Sequence, residues 1–351
     1  MKKSSHTSTH LFSNSYHSKY RFGIADNGNI YSKNSQPTQD IFCRRLARLY
    51  NSKSVISCKT QTIINSMVSA LASGNEKIAI NTALFPPLHK AILTACDKLS
   101  VKIVYFNDNT TLTDTIQQGV KAVILSCVSV DCCYANIHQV KKLCKEYHTP
   151  LIIDNTLATV FSCNPLSQGA DIVLEMSQLV SVGDEKDHYT TIIERDSFEW
   201  LKSNGYSKLY PYRNSSYPFT AYLRAKCRKT NENQNKETQA DYYMLCEGLR
   251  TLYDRFNLHT KNSYLLIKLL QRYSHSISYN YYNNKSPIFI TANLLPEYTP
   301  LLKDKLINST VQSKDQLCTM FNCTSVFFNN NTIHIKIGTE PYSYLRLLFS
   351  V

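Results

Sequence analysis

The chain has 351 residues, room for roughly two domains and for a sizeable core without disulfides or metals. Apolar residues make up 43% and charged residues 19%, which excludes a disordered or collagen-like chain. The net charge of +13 admits a nucleic-acid or anionic-membrane partner. The basic residues are dispersed, however, and the densest clusters, Lys141-Lys142 and Lys226-Cys227-Arg228-Lys229, are short. With no nucleic-acid-binding motif to support them, they read as a solvated surface, and neither nucleic acid nor membrane is expected as a partner.

The nine glycines are too scattered for G-x-G-x-x-G or G-x-x-x-x-G-K-[ST], so neither glycine-rich phosphate loop is present. No run of 18 apolar residues exists to span a bilayer. Met1-Lys2-Lys3-Ser4-Ser5-His6 is followed by no apolar stretch, so no secretion signal is expected. The twelve cysteines form no CxxC pair; reduced thiols, a cytoplasmic location and no metal site are the expectation.

Residues 1–40 are rich in Ser, His, Asn and Gln and read as an extended arm. Ile41, Phe42, Leu46 and Leu49 recur at helical spacing up to Tyr50, and Thr62–Leu71 repeats the pattern before Ser73-Gly74-Asn75. Strands and helices then alternate. Strands are predicted at Lys77–Ile80, Lys102–Phe106, Ala122–Leu125, Leu151–Asp154 and Ala170–Leu174. Helices are predicted at Leu88–Leu99, Thr111–Gly119 and Asn136–Tyr147. Continuous apolar strands between helices imply an α/β fold, a mostly parallel sheet with helices on both faces. Residues 41–227 are assigned to this large domain, 228–240 to a polar linker, and 241–351 to a small C-terminal α+β domain. That domain opens with a helix from Ala240 to near Leu270 and includes strands at Ile288–Ala292 and Thr332–Ile337.

Ligands in open α/β sheets sit at the carboxyl ends of the strands, where Asp154 closes Leu151-Ile152-Ile153. A carboxylate there either caps the next helix or holds a cationic group such as a protonated pyridine nitrogen. The segment Asp154-Asn155-Thr156-Leu157-Ala158-Thr159 resembles the DNTFAT-type word of the Cys/Met-metabolism family of pyridoxal-phosphate (PLP) enzymes, which includes cystathionine synthases and lyases and methionine gamma-lyase. Gly169-Ala170-Asp171-Ile172-Val173 is similar to that family's GADIV strand. Tyr31-Ser32-Lys33 with Pro37-Thr38 is similar to its YSR…NPT segment. Gly248-Leu249-Arg250-Thr251-Leu252, followed by Arg255, His259 and Asn262, resembles its GLKTL…R…H..NA helix. Ile335-Lys336-Ile337-Gly338-Thr339-Glu340 resembles its C-terminal R-L-S-V-G-x-E word. The resemblance implies the PLP-dependent transferase fold of aspartate-aminotransferase type, with PLP as cofactor. It implies a homodimer or tetramer, or a hetero-oligomer with an active relative.

The same resemblance assigns site residues. Asp154 falls at the pyridine nitrogen, Phe85 where an aromatic stacks on the PLP ring, and Tyr31 and Lys33 on the phosphate-contacting arm. The S-G-M phosphate cup falls on Cys58-Lys59-Thr60, so Lys59 replaces a glycine. The lysine that binds PLP covalently falls on Leu179, in Met176-Ser177-Gln178-Leu179 where S-x-T-K is expected. The two phosphate hydroxyls of that segment fall on Met176 and Gln178, and Ser177 remains a cofactor-binding candidate. A substrate-contacting asparagine falls on Val130, and the substrate-carboxylate arginine on His334, which lacks the guanidinium fork. The family's active-site loop between Gly248 and Gly338 is expected to be missing. These changes at chemistry positions lead to the expectation of a catalytically dead or impaired member of the trans-sulfuration group. The alternatives are an active lyase or synthase that uses another lysine, such as Lys186, and a nucleic-acid-binding protein with a basic surface.

Overall fold

The computed structural model describes residues 23–24, 30–31, 37–129, 134–181, 188–202, 205–233, 239–279, 288–312, 316 and 323–350. A two-residue pair, β1 (Gly23–Ile24) and β2 (Ile30–Tyr31), is antiparallel. Helix α1 (Pro37–Tyr50) begins inside the segment expected as an arm, because Pro37 has the fixed φ of a first helical turn.

From here the chain builds the large sheet in the order β3 (Ser54–Lys59), α2 (Thr60–Leu71), β4 (Lys77–Asn81), α3 (Pro86–Leu99), β5 (Lys102–Phe106), α4 (Asn109–Gln117), β6 (Val120–Ser126), α5 (Ile137–Glu146), β7 (Leu151–Asp154), the short α6 (Thr159–Ser162), β8 (Ile172–Met176) and β9 (Tyr189–Glu194). The seven strands lie in the order β3-β9-β8-β7-β6-β4-β5. Pairs from β8 through β5 are parallel, and β9 alone runs against both its neighbours. Every residue of β7, β8 and β9 is buried, which requires cover on both faces and accounts for the unbroken apolar runs. Asp171, just before β8, is fully buried; it accepts from both the Lys141 ammonium of α5 (2.6 Å) and the Leu151 N–H (2.8 Å), fixing α5 against the sheet.

The segment expected as a polar linker is largely helical. Helix α7 (Pro218–Asn233) runs six residues into it, and α8 (Gln239–Leu270) starts before its end. Arg228, Lys229 and Thr230 are exposed on α7, and no proline or glycine interrupts the segment. The expected boundary at 241 also shifts. Tyr242, Leu245, Leu249 and Phe256 of α8 belong to the core of the large sheet, whereas Leu266, Ile267 and Leu270 belong to a second core. That second core lies under a four-stranded antiparallel sheet, β10 (Ser274–Ser278), β11 (Phe289–Leu294), β12 (Ser325–Asn329) and β13 (Thr332–Lys336), ordered β10-β11-β13-β12. Helices α9 (Tyr298–Lys305) and α10 (Tyr342–Phe349) complete it. One helix thus ties the two units together. Among the described residues no helix is long and apolar enough to cross a membrane.

Candidate functional site at the strand ends

The strand order reverses between β4 and β6, which opens the crevice of an α/β sheet beside their carboxyl ends. The structure brings three of the expected elements together there. The Phe85 N–H, at the start of α3, donates to Ser126 Oγ at the end of β6 (3.0 Å), and Ser126 Oγ donates to Asp154 Oδ2 at the end of β7 (3.1 Å). The other Asp154 oxygen accepts from the Thr156 N–H (3.0 Å) and hydroxyl (2.5 Å). Thr156 Oγ1 in turn accepts from the Met176 N–H of β8 (3.0 Å). Asp154 is 2% exposed, and burial pushes its pKa up to about 6 despite these donors. Downstream, Thr159 is held in the left-handed backbone region (φ 54°), an arrangement that costs a β-branched residue about 1–2 kcal/mol. Its N–H donates to Asn155 O (2.8 Å).

A second carboxyl, absent from the sequence reading, lies beside the first. Glu175 of β8 is fully buried; burial and then the charge of Asp154 raise its pKa to about 7, against the opposing hydrogen bond from Tyr50. The Tyr50 hydroxyl donates to Glu175 Oε2 (2.5 Å) and accepts from Asn155 Nδ2 (2.8 Å). Glu175 Oε1 and Asn155 Oδ1 find no partner among the described residues. The sequence signal was a single acid in the otherwise apolar strand Ile-Val-Leu-Glu-Met.

The loop after β8 contains Leu179, which is 1% exposed and part of the large core, as are Met176 and Val180. Ser177 Oγ accepts from the Tyr189 N–H (3.1 Å), so this hydroxyl holds β9 against β8. Helix α8 grips the loop. The Arg255 guanidinium donates to Leu179 O (2.7 Å), Val180 O (2.9 Å) and Gly248 O (2.9 Å). Burial lowers the Arg255 pKa to about 10. A side chain at Gly248 would place its Cβ 1.8 Å from Val180 O, so only glycine allows this approach.

The remaining expected residues stand on other elements or are not described. Lys59 is the N-cap of α2 and makes no side-chain cap. The following Thr60 N–H, which a phosphate cup would aim at the anion, donates to His188 O (2.8 Å). His334 stands on β13, where Nδ1 pairs with Thr291 Oγ1 (3.0 Å) and the ring stacks on Phe327 (6.0 Å between centroids). Tyr31 lies in β2; Lys33, Val130 and Lys186 lie outside the described residues.

Among the described residues of this neighbourhood, covalently held PLP finds no fit. A leucine stands where the amine is expected. The carboxylate for the ring nitrogen is sealed and has three protein donors, and an N–H of the expected cup is bonded to the protein itself.

Comparison with known proteins places this site in a lineage. The model of the Cys/Met metabolism PLP-dependent enzymes matches residues 3–288. The homocysteine synthase of Schizosaccharomyces pombe is 26% identical over 291 residues, which is 76% of this chain and 66% of that enzyme. The O-acetyl-L-homoserine sulfhydrylase of Leptospira meyeri is 23% identical over 76% of this chain and 65% of its own length. The chain thus matches just under two thirds of each of these relatives. Among solved structures, a chain assigned as an O-acetylhomoserine (thiol)-lyase from Campylobacter jejuni, which carries a pyridoxyl-lysine phosphate, has a TM-score of 0.78 at 19% identity, over 92% of this chain and 87% of its own. The O-acetylhomoserine sulfhydrylase of Wolinella succinogenes has a TM-score of 0.74 at 14% identity, over 90% and 95%. These likenesses establish the PLP-dependent transferase fold, and the family model, spanning most of the chain, establishes more than the fold: the protein belongs to the Cys/Met metabolism family of PLP-dependent enzymes.

Proposed function

We propose that this protein is a non-catalytic member of its family, a sulfhydrylase-type scaffold that does not carry out PLP chemistry. The observation that carries the reading is Leu179. It occupies the position expected for the Schiff-base lysine, and its side chain is part of the core. No pKa shift gives a leucine an amine. The sealed Asp154 and the Thr60 N–H bonded to His188 support the same reading. The retained Gly248 and Arg255 contacts then serve the fold.

The test is direct. Purified protein is incubated with PLP, reduced with borohydride, dialysed and analysed by mass spectrometry. The expected result is a colourless protein of unchanged mass. A pyridoxyl adduct mapped to one lysine, Lys186 included, would overturn the proposal and make the chain a PLP enzyme with a relocated anchor.

A further inference from the structure

The positive charge of this chain is unevenly spread. From Lys202 to Asn231 there are seven basic residues and no acidic one, so more than half of the net +13 arises in thirty residues. In the sequence these residues form separate short groups. The fold draws Lys208, Arg213 and Lys226 together around Tyr210 and Tyr222. A short 3-10 turn, Ser207–Tyr212, packs beside α7. The Tyr212 ring meets the Tyr222 ring edge-on at 5.8 Å, and the Lys226 ammonium lies 5.5 Å from the Tyr222 ring centre. Lys208 Nζ donates to Ser69 O (2.8 Å), and Ser69 Oγ bonds the Tyr222 hydroxyl (3.0 Å), so turn and helix converge on the same residue of α2. The Arg213 guanidinium stacks 4.7 Å over the Tyr210 ring, and Tyr210 itself is 60% exposed.

The flanks offset only part of this charge. Helix α2, against which α7 packs, has no charged residue. On α7, Phe219, Leu223 and Cys227 face inward while Arg224, Lys226, Arg228 and Lys229 are exposed. Along the chain the nearest acids are Glu199, which pairs with Lys202 (2.5 Å), and Glu232 in the last turn of α7, while Glu194 and Asp196 stand at the other end of the helix. Glu194 is buried there, accepting from the Thr220 N–H (2.9 Å), and Asp196 acts on Tyr217. Tyr222 to Lys229 spans roughly 10 Å along the helix axis.

Cations interleaved with an exposed ring are the two components of single-strand recognition, backbone phosphates on Lys and Arg and a base on the aromatic face. A membrane surface calls instead for large apolar side chains that insert; this face exposes Tyr210, Pro211, Asn214 and Ser216. We propose that the surface of Lys208, Tyr210, Arg213, Lys226, Arg228 and Lys229 binds single-stranded nucleic acid. The proposal is independent of whether the protein retains PLP chemistry.

The experiment is fluorescence anisotropy of a labelled single-stranded oligonucleotide with the full chain. Four phosphate contacts predict about fifty-fold weakening between 50 and 200 mM salt, at a slope of about −0.7 per contact. The variant Lys226→Glu/Arg228→Glu/Lys229→Glu is expected to bind at least tenfold more weakly with an unchanged melting temperature, since all three side chains are exposed. The control Lys90→Glu/Lys98→Glu/Lys102→Glu makes the same change in net charge on exposed residues elsewhere and is expected to bind normally. Tyr210→Ala is expected to weaken binding without altering the salt slope. Equal loss in the two triple variants would overturn the proposal in favour of a diffuse charge effect. Failure to bind at 50 mM salt would overturn it outright, and binding to phosphatidylserine vesicles but not to the oligonucleotide would assign the surface to a membrane.

Discussion

Two regions meet at the end of β8 and treat their polar groups in opposite ways. On the α8 side, the Arg255 guanidinium meets the carbonyls of Leu179, Val180 and Gly248, and a glycine clears the space for that approach. On the β7 side, among the described residues, two carboxyls stand together with no cation bonded to them, and one oxygen each of Glu175 and Asn155 goes without a partner. The first is what stability alone favours. The second raises both carboxyl pKa values and stores unfavourable free energy in the core. Buried polar groups arranged against stability cluster where chemistry takes place. The difference therefore separates the scaffold from the candidate site.

The sharpest way to break the comparison is Gly248→Ala. The new Cβ has only backbone to push against, so a loss of roughly 3 kcal/mol or more is expected in urea denaturation. A loss below about 1 kcal/mol would show that the loop yields and that the contact is no clamp. Leu179→Lys comes next. An amine at a position 1% exposed is expected to cost about 3 kcal/mol. It is expected to restore no borohydride-fixed pyridoxyl group, because Asp154 and Thr60 keep their present partners. A stable variant that takes up PLP would show that residue 179 alone decides cofactor uptake. Arg255→Met should cost about 2 kcal/mol through carbonyls left unpaired, again read from the denaturation midpoint.

The scaffold was more legible in the sequence than the site. Strands β6 to β8 were visible because burial on both faces leaves an unbroken apolar run. Strands β3 and β9, Ser-Val-Ile-Ser-Cys-Lys and Tyr-Thr-Thr-Ile-Ile-Glu, were not, because their polar atoms are satisfied at long range. Thr190 pairs with Thr60 (2.9 Å), and Glu194 takes the Trp200 indole N–H (2.9 Å). Helix α7 was missed because its outward face is almost wholly polar and resembles a linker. At the site, Asp154 and Phe85 were legible as members of motif words. The bond between Tyr50 and Glu175 crosses 125 residues and no local pattern announces it. The basic face of α7 was hidden in the same way, since Lys208 and Lys226 become neighbours only through Ser69 and Tyr222.

The smallest expected effect bears on the acid cluster and depends on sign. Glu175 titrates at about 7 in the fold against 4.5 ordinarily, and Asp154 at about 6 against 3.8. The folded state therefore holds protons that the unfolded chain has released, and stability is lost as pH rises through these values. His259 acts the other way. Burial lowers its pKa from 6.5 to about 4, so between those values acid favours unfolding. A bare pH profile mixes the two, and Glu175→Gln separates them. The amide still accepts from Tyr50 and cannot ionise. Near pH 5 the variant is expected to match the parent. By pH 8 it should be the more stable of the two, by on the order of 2 kcal/mol, since only the parent bears a buried charge. Parallel profiles for the two proteins would mean that Glu175 is compensated in solution, and the contrast between a satisfied clamp and an unsatisfied acid pair would then fail.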